Sequence, residues 1–65
     1  MTELDKEIIR SIADHNMKIH AAAKALYLHR NTVLYHIERI RQKTGLNAMV
    51  FRDLVELLKR IEGEA

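Results

Sequence analysis

A chain of 65 residues has room for one domain. A domain this small buries only about 60% of the surface its unfolded chain exposes, which leaves a thin core and little room for an enclosed catalytic pocket. With 48% apolar and 31% charged residues it is a folding sequence rather than a disordered one, and the lack of cysteine excludes disulfides and thiolate metal sites. The net charge of +2 is unevenly spread, running −2 over residues 1–17, +5 over 18–43 and −1 over 44–65.

Thr2 followed by Asp5 reads as a helix start, with a hydroxyl to cap free amides and an acid to suit the helix dipole. Leu4, Ile8, Ile9 and Ile12 then recur at helical spacing, and Asn16 tolerates the left-handed backbone that ends many helices. The first helix is therefore expected over about 3–15. Ile19, Ala23 and Leu26 share one face of a short second helix, about 20–27, whose alanines favour helix and let another backbone approach. After Leu28 and His29 the pattern resumes as Val33, Ile37 and Ile40, giving a third helix over about 30–43. Thr44-Gly45 ends it, glycine supplying a positive φ.

Asn47 is the expected cap of a fourth helix. Its apolar stripe of Val50, Phe51, Leu54, Val55, Leu57, Leu58 and Ile61 is wider than one side of a tiny core requires. A homodimer through Val50, Leu54, Leu57, Leu58 and Ile61 is the expected use of the surplus, because small domains often need a partner subunit. The plainer alternative is a bundle that wraps around this helix. No segment alternates with the period of a strand, so the fold class is all-α, a small four-helix domain.

A two-turn helix, a sharp turn and a longer helix make a helix-turn-helix over about 19–43, in which the second helix lies in a DNA major groove. Spacing alone also allows a plain helical hairpin. The outward residues favour the first reading. With Val33, Ile37 and Ile40 facing inward, the start of the third helix shows His29, Arg30, Asn31, Thr32, Tyr35 and His36. Asparagine pairs bidentately with adenine and arginine with guanine or phosphate, while hydroxyls reach phosphate oxygens. Arg39, Arg41 and Lys43 add charge farther along, although they also suit the helix dipole.

The stretch from Ala23 to Ile40, with His-Arg-Asn-Thr-Val-x-Tyr at 29–35, Glu-Arg-Ile at 38–40 and Thr-Gly-Leu at 44–46, resembles the C-terminal helix-turn-helix of PucR-like and sugar-diacid-regulator (CdaR-like) bacterial transcription factors. The domain is also distantly similar to the DNA-binding part of the factor for inversion stimulation, whose related domains act as dimers. The resemblance implies that the third helix is the recognition helix and that His29, Arg30, Asn31, Thr32 and Tyr35 contact DNA. His36 departs from the pattern where arginine is frequent, and Leu34 where polar or basic residues are common. His20 falls where a serine or threonine cap is usual. Full members carry this module after an upstream part that senses a signal, so these residues are either an excised domain or a small independent protein.

The whole chain is thus expected to be a single DNA-binding domain of a bacterial, cytoplasmic regulator, with double-stranded DNA as its partner. The expected DNA contacts are His29, Arg30, Asn31, Thr32, Tyr35, His36 and Arg39. No catalytic residue, metal or cofactor is expected. No apolar run reaches the ~20 residues of a membrane helix, and the acidic start is unlike a signal peptide. Four histidines at 15, 20, 29 and 36 lack metal-ligand spacing. The lone Ser11 lacks a nucleophile elbow. One exposed tyrosine on the third helix offers little base-stacking surface, which favours duplex DNA over RNA. The competing function is a helical protein-interaction or dimerisation module that binds no DNA.

Overall fold

Thr2 starts the first helix as its chemistry predicts. In the computed structural model, which describes residues 1–64, the Thr2 hydroxyl accepts from the Asp5 amide at 3.1 Å while the Asp5 carboxylate accepts from the Thr2 amide at 3.0 Å. This reciprocal capping box opens α1 (Glu3–Asp14). Asn16 and Met17 then turn the chain through left-handed conformations. The Met17 amide donates to the Ile12 carbonyl at 2.8 Å, which closes the end of the helix.

Three further helices follow: α2 (Ile19–Ala25), α3 (Arg30–Thr44) and α4 (Phe51–Gly63), with no strand among the described residues. The second helix is shorter than the 20–27 expected, because Tyr27 turns left-handed and ends it. Its first turn is uncapped, but at Lys18 rather than at His20. α3 ends at Gly45, φ 77°, as glycine at that place predicts. Asn47 is not the cap of α4. Its side chain accepts from the Met49 amide and its own amide donates to Asp53, so it builds the turn before the helix, and Val50 takes the cap position without a side-chain bond.

α1 is the centre of the domain. It packs against the other three helices, α2 packs against α3, and the backbone of α4 lies against α1 alone. Ile8, Ile9 and Ile12 of α1 meet Val33, Ile37 and Ile40 of α3 and Leu54, Leu57 and Ile61 of α4 in one core. Ala22 and Ala23 are buried between α1 and α2, where larger side chains would separate the helices. The Ser11 hydroxyl donates to the Ala22 carbonyl at 3.0 Å across this contact. The lone serine therefore serves as a buried tie between helices.

The apolar stripe of α4 divides in two. Leu54, Leu57 and Ile61, expected at a dimer contact, are buried in the domain's own core. Burial of the inward stripe on α1 takes them out of reach of a partner. Phe51 at 68% and Val50 at 47% exposure remain outside. Phe51, Val55 and Leu58 border a shallow groove with Ala13 and Met17. Among the described residues no helix is long and apolar enough to cross a membrane.

Candidate nucleic-acid interface

α3 buries Val33, Ile37 and Ile40, and helical periodicity turns Asn31, Tyr35, Glu38 and Gln42 to the opposite side. All four are exposed, as is Arg30 at the start of the helix. The helix opens on His29, whose Nδ1 accepts from the Asn31 amide at 3.0 Å. With Nδ1 accepting, the neutral ring carries its proton on Nε2 and keeps one donor free. The first turn of α3 thus combines the free amides of a helix N-terminus with His29, Arg30 and Asn31, and contains no acidic residue.

Thr32 and Arg39 are half-buried at the edges of this face. The structure brings His29, Arg30, Asn31 and Tyr35 together within the first two turns and sets Arg39 farther along. Gln42, which sequence reasoning passed over, shares the exposed face; its i, i+4 spacing from Glu38 and i, i+7 from Tyr35 is the signal that identifies it. Glu38 also lies there, accepting from Arg41 Nε and Nη2 and from the Gln42 amide. The Arg41 guanidinium holds the Glu38 carboxyl below its ordinary pKa. Arg41 therefore offsets a carboxylate on its own helix, leaving Arg30, Arg39 and Lys43 as the cations of α3 outside that pair.

His36 is withdrawn from the exposed face expected of it. Its side chain is only 12% exposed and its Nδ1 lies 2.8 Å from Oδ1 of the fully buried Asp5. A carboxylate next to Nδ1 makes that nitrogen the donor. Position 36 borders the inward stripe, one residue before Ile37, and a polar partner from α1 draws the ring inward. Burial pushes the Asp5 carboxyl up, but the hydrogen bonds from His36 and Thr2 together outweigh it, and its pKa falls below the ordinary value. One carboxylate thus caps α1 with one oxygen and holds the middle of α3 with the other. Tyr35 meets the His36 ring edge-on, with centroids 5.5 Å apart, so the tie reaches the neighbouring exposed residue.

Among the described residues no group of three or more histidine, aspartate or glutamate side chains is placed to hold a metal ion. The arrangement offers hydrogen-bond donors and positive charge on the outside of a helix whose inside is fixed in the core.

The family model of the PucR C-terminal helix-turn-helix domain matches residues 6–62, from the first turn of α1 to the last turn of α4. The carbohydrate diacid regulator of Escherichia coli (strain K12) is 46% identical over 39 residues, covering 60% of this chain and 10% of the regulator. The chain thus spans about a tenth of that relative's length. No solved structure matches the chain. The short α2, the turn and the longer α3 have the arrangement of a helix-turn-helix, and the matched family is one of regulatory domains rather than enzymes. The chain belongs to the PucR C-terminal helix-turn-helix domain family.

Proposed function

We propose that this domain binds double-stranded DNA sequence-specifically, with α3 in the major groove, as the DNA-binding module of a bacterial cytoplasmic transcription regulator. The observation that carries the reading is the exposure of Arg30, Asn31 and Tyr35 at the start of a helix whose opposite face is locked into the core. Asn31 reads adenine and Arg30 reads guanine or binds phosphate. Thr32 and Tyr35 donate hydroxyls to phosphates, His29 offers its Nε2–H, and Arg39 supplies charge along the groove edge. His36 acts from behind, by fixing the rotation of α3 through Asp5. The residues work as one unit, and a larger regulator that includes them would supply any signal-sensing part.

Pairing of two copies through α4 belongs to the same reading, on the narrower face of Phe51, Val55 and Leu58. The exposure of Phe51 beside an apolar groove supports it. Two recognition helices so paired would enter the groove about one turn apart, roughly 34 Å.

Fluorescence anisotropy against labelled duplexes selected from a random library tests the reading. Asn31→Ala is expected to relax preference at one position by about 1–3 kcal/mol. Arg30→Ala is expected to weaken binding and, if its contact is phosphate, to reduce the salt slope by about one. A folded chain that binds no duplex at low salt would leave the interaction-module reading in its place.

A further inference from the structure

α2 ends in a Schellman turn. The Leu28 amide donates to the Ala23 carbonyl at 2.9 Å and the Tyr27 amide to the Lys24 carbonyl at 3.1 Å, the two bonds that define the motif. The residue just beyond the cap, Leu26, must then be left-handed, and that residue is Tyr27, with φ 57°. Glycine or asparagine adopts this conformation readily, whereas a bulky side chain meets its own backbone there. The fold recovers little from the ring, which is 97% exposed. A strained position occupied by a side chain that does not pack is a sign of function outside the fold.

The surroundings say what the function is. Tyr27 stands at an open cleft of about 520 Å³ whose polar walls are His20, Lys24, His29 and Arg30, with no acidic residue lining it. His29 and Arg30 belong also to the start of α3, so the cleft continues the face assigned to the major groove. On that reading, a DNA strand bordering the groove would run on over Tyr27 and Lys24.

We propose that this cleft seats a backbone phosphate of the bound duplex, beside the bases that α3 reads. The Tyr27 hydroxyl donates to a phosphate oxygen, Lys24 and Arg30 supply the positive charge, and His20 borders the site from the first turn of α2. The inference rests on the major-groove reading and adds Tyr27, Lys24 and His20 to the contacts on α3.

The test compares the parent with Tyr27→Asn, Tyr27→Phe and Lys24→Ala in thermal unfolding and in anisotropy titrations of a labelled duplex selected for the parent. Tyr27→Asn relieves the left-handed strain and is expected to raise Tm by about 5 °C while lowering affinity about tenfold. Tyr27→Phe keeps the strain and the ring, so Tm stays put while affinity falls by the same factor. Neither change alters the salt slope, because tyrosine carries no charge; Lys24→Ala reduces the slope by about one. Inorganic phosphate at matched ionic strength leaves the parent's affinity unchanged. A Lys24→Ala salt slope equal to the parent's would overturn the proposal by taking that charge off the phosphate. Tyr27 variants that bind as the parent does would overturn it too, with the major-groove reading intact. A parent that fails to bind any duplex removes both readings before a variant is made.

Discussion

The Asp5–His36 contact joins residues 31 apart in sequence and fixes α3 to the start of α1. Exposed ion pairs contribute about 0–1 kcal/mol, but here the carboxylate is fully buried and the imidazole is 12% exposed. A hydrogen bond to a charged group in that setting contributes about 1.5–3 kcal/mol. Asp5→Ala also frees the Thr2 amide from the capping box, so it should cost more than His36→Ala, about 2–4 kcal/mol in all. In a domain whose stability is about 0.05–0.15 kcal/mol per residue, this is a large fraction of the total. Urea unfolding followed by circular dichroism on the parent, the two single variants and the double variant isolates the pair. The expected coupling is about 1.5–3 kcal/mol. A coupling below about 0.5 kcal/mol, with additive single effects, would refute the tie. His36→Ala should also weaken duplex binding, although His36 lies off the exposed face, because the rotation of α3 is no longer held.

The pH dependence follows from Asp5. Its folded pKa lies below the ordinary value of 3.8, so the stability it contributes is complete above that value and is lost as pH falls through the lower folded pKa. Acid unfolding should therefore be shallower in Asp5→Ala than in the parent; superimposable acid limbs would assign the effect to other carboxylates. In α4, Leu57→Ala opens a cavity in a fully buried site and should destabilise by about 2–5 kcal/mol. Phe51→Asp should leave the monomer folded and remove any dimer seen in sedimentation. A dimer that survives Phe51→Asp would place self-association elsewhere.

The helices are legible because their apolar residues recur at i, i+4 and i+7, and because each signal is local. Thr2 and Asp5 mark one end by hydrogen bonds three residues apart, and Gly45 marks another by its backbone freedom. The less legible features depend on partners distant in sequence or on which side of a wide stripe meets the core. Asp5 reads as a cap, and nothing in its neighbourhood shows that its second oxygen meets His36. His36 sits on the border of the α3 stripe, where one helical step separates exposed from buried. The α4 stripe is continuous in sequence, and only its packing on α1 assigns Leu54, Leu57 and Ile61 to the core and leaves Phe51 outside. Tyr27 carries no glycine-like signal for a left-handed turn, which is why the expected second helix runs two residues past its actual end. Arg30, Asn31 and Tyr35 are legible as exposed because the inward positions of α3 are regular enough to fix the opposite face.

Whether the start of α3 is the surface that meets DNA is decided residue by residue by nuclear magnetic resonance. A uniformly ¹⁵N-labelled chain is titrated with an unlabelled duplex selected for binding, and amide shifts are followed residue by residue. The largest changes are expected from His29 to Tyr35, with a second group at Lys24 and Tyr27 and little change around Glu56 and Lys59 on the outer side of α4. Changes confined to Phe51, Val55 and Leu58, with the first turns of α3 unaffected, would contradict that expectation.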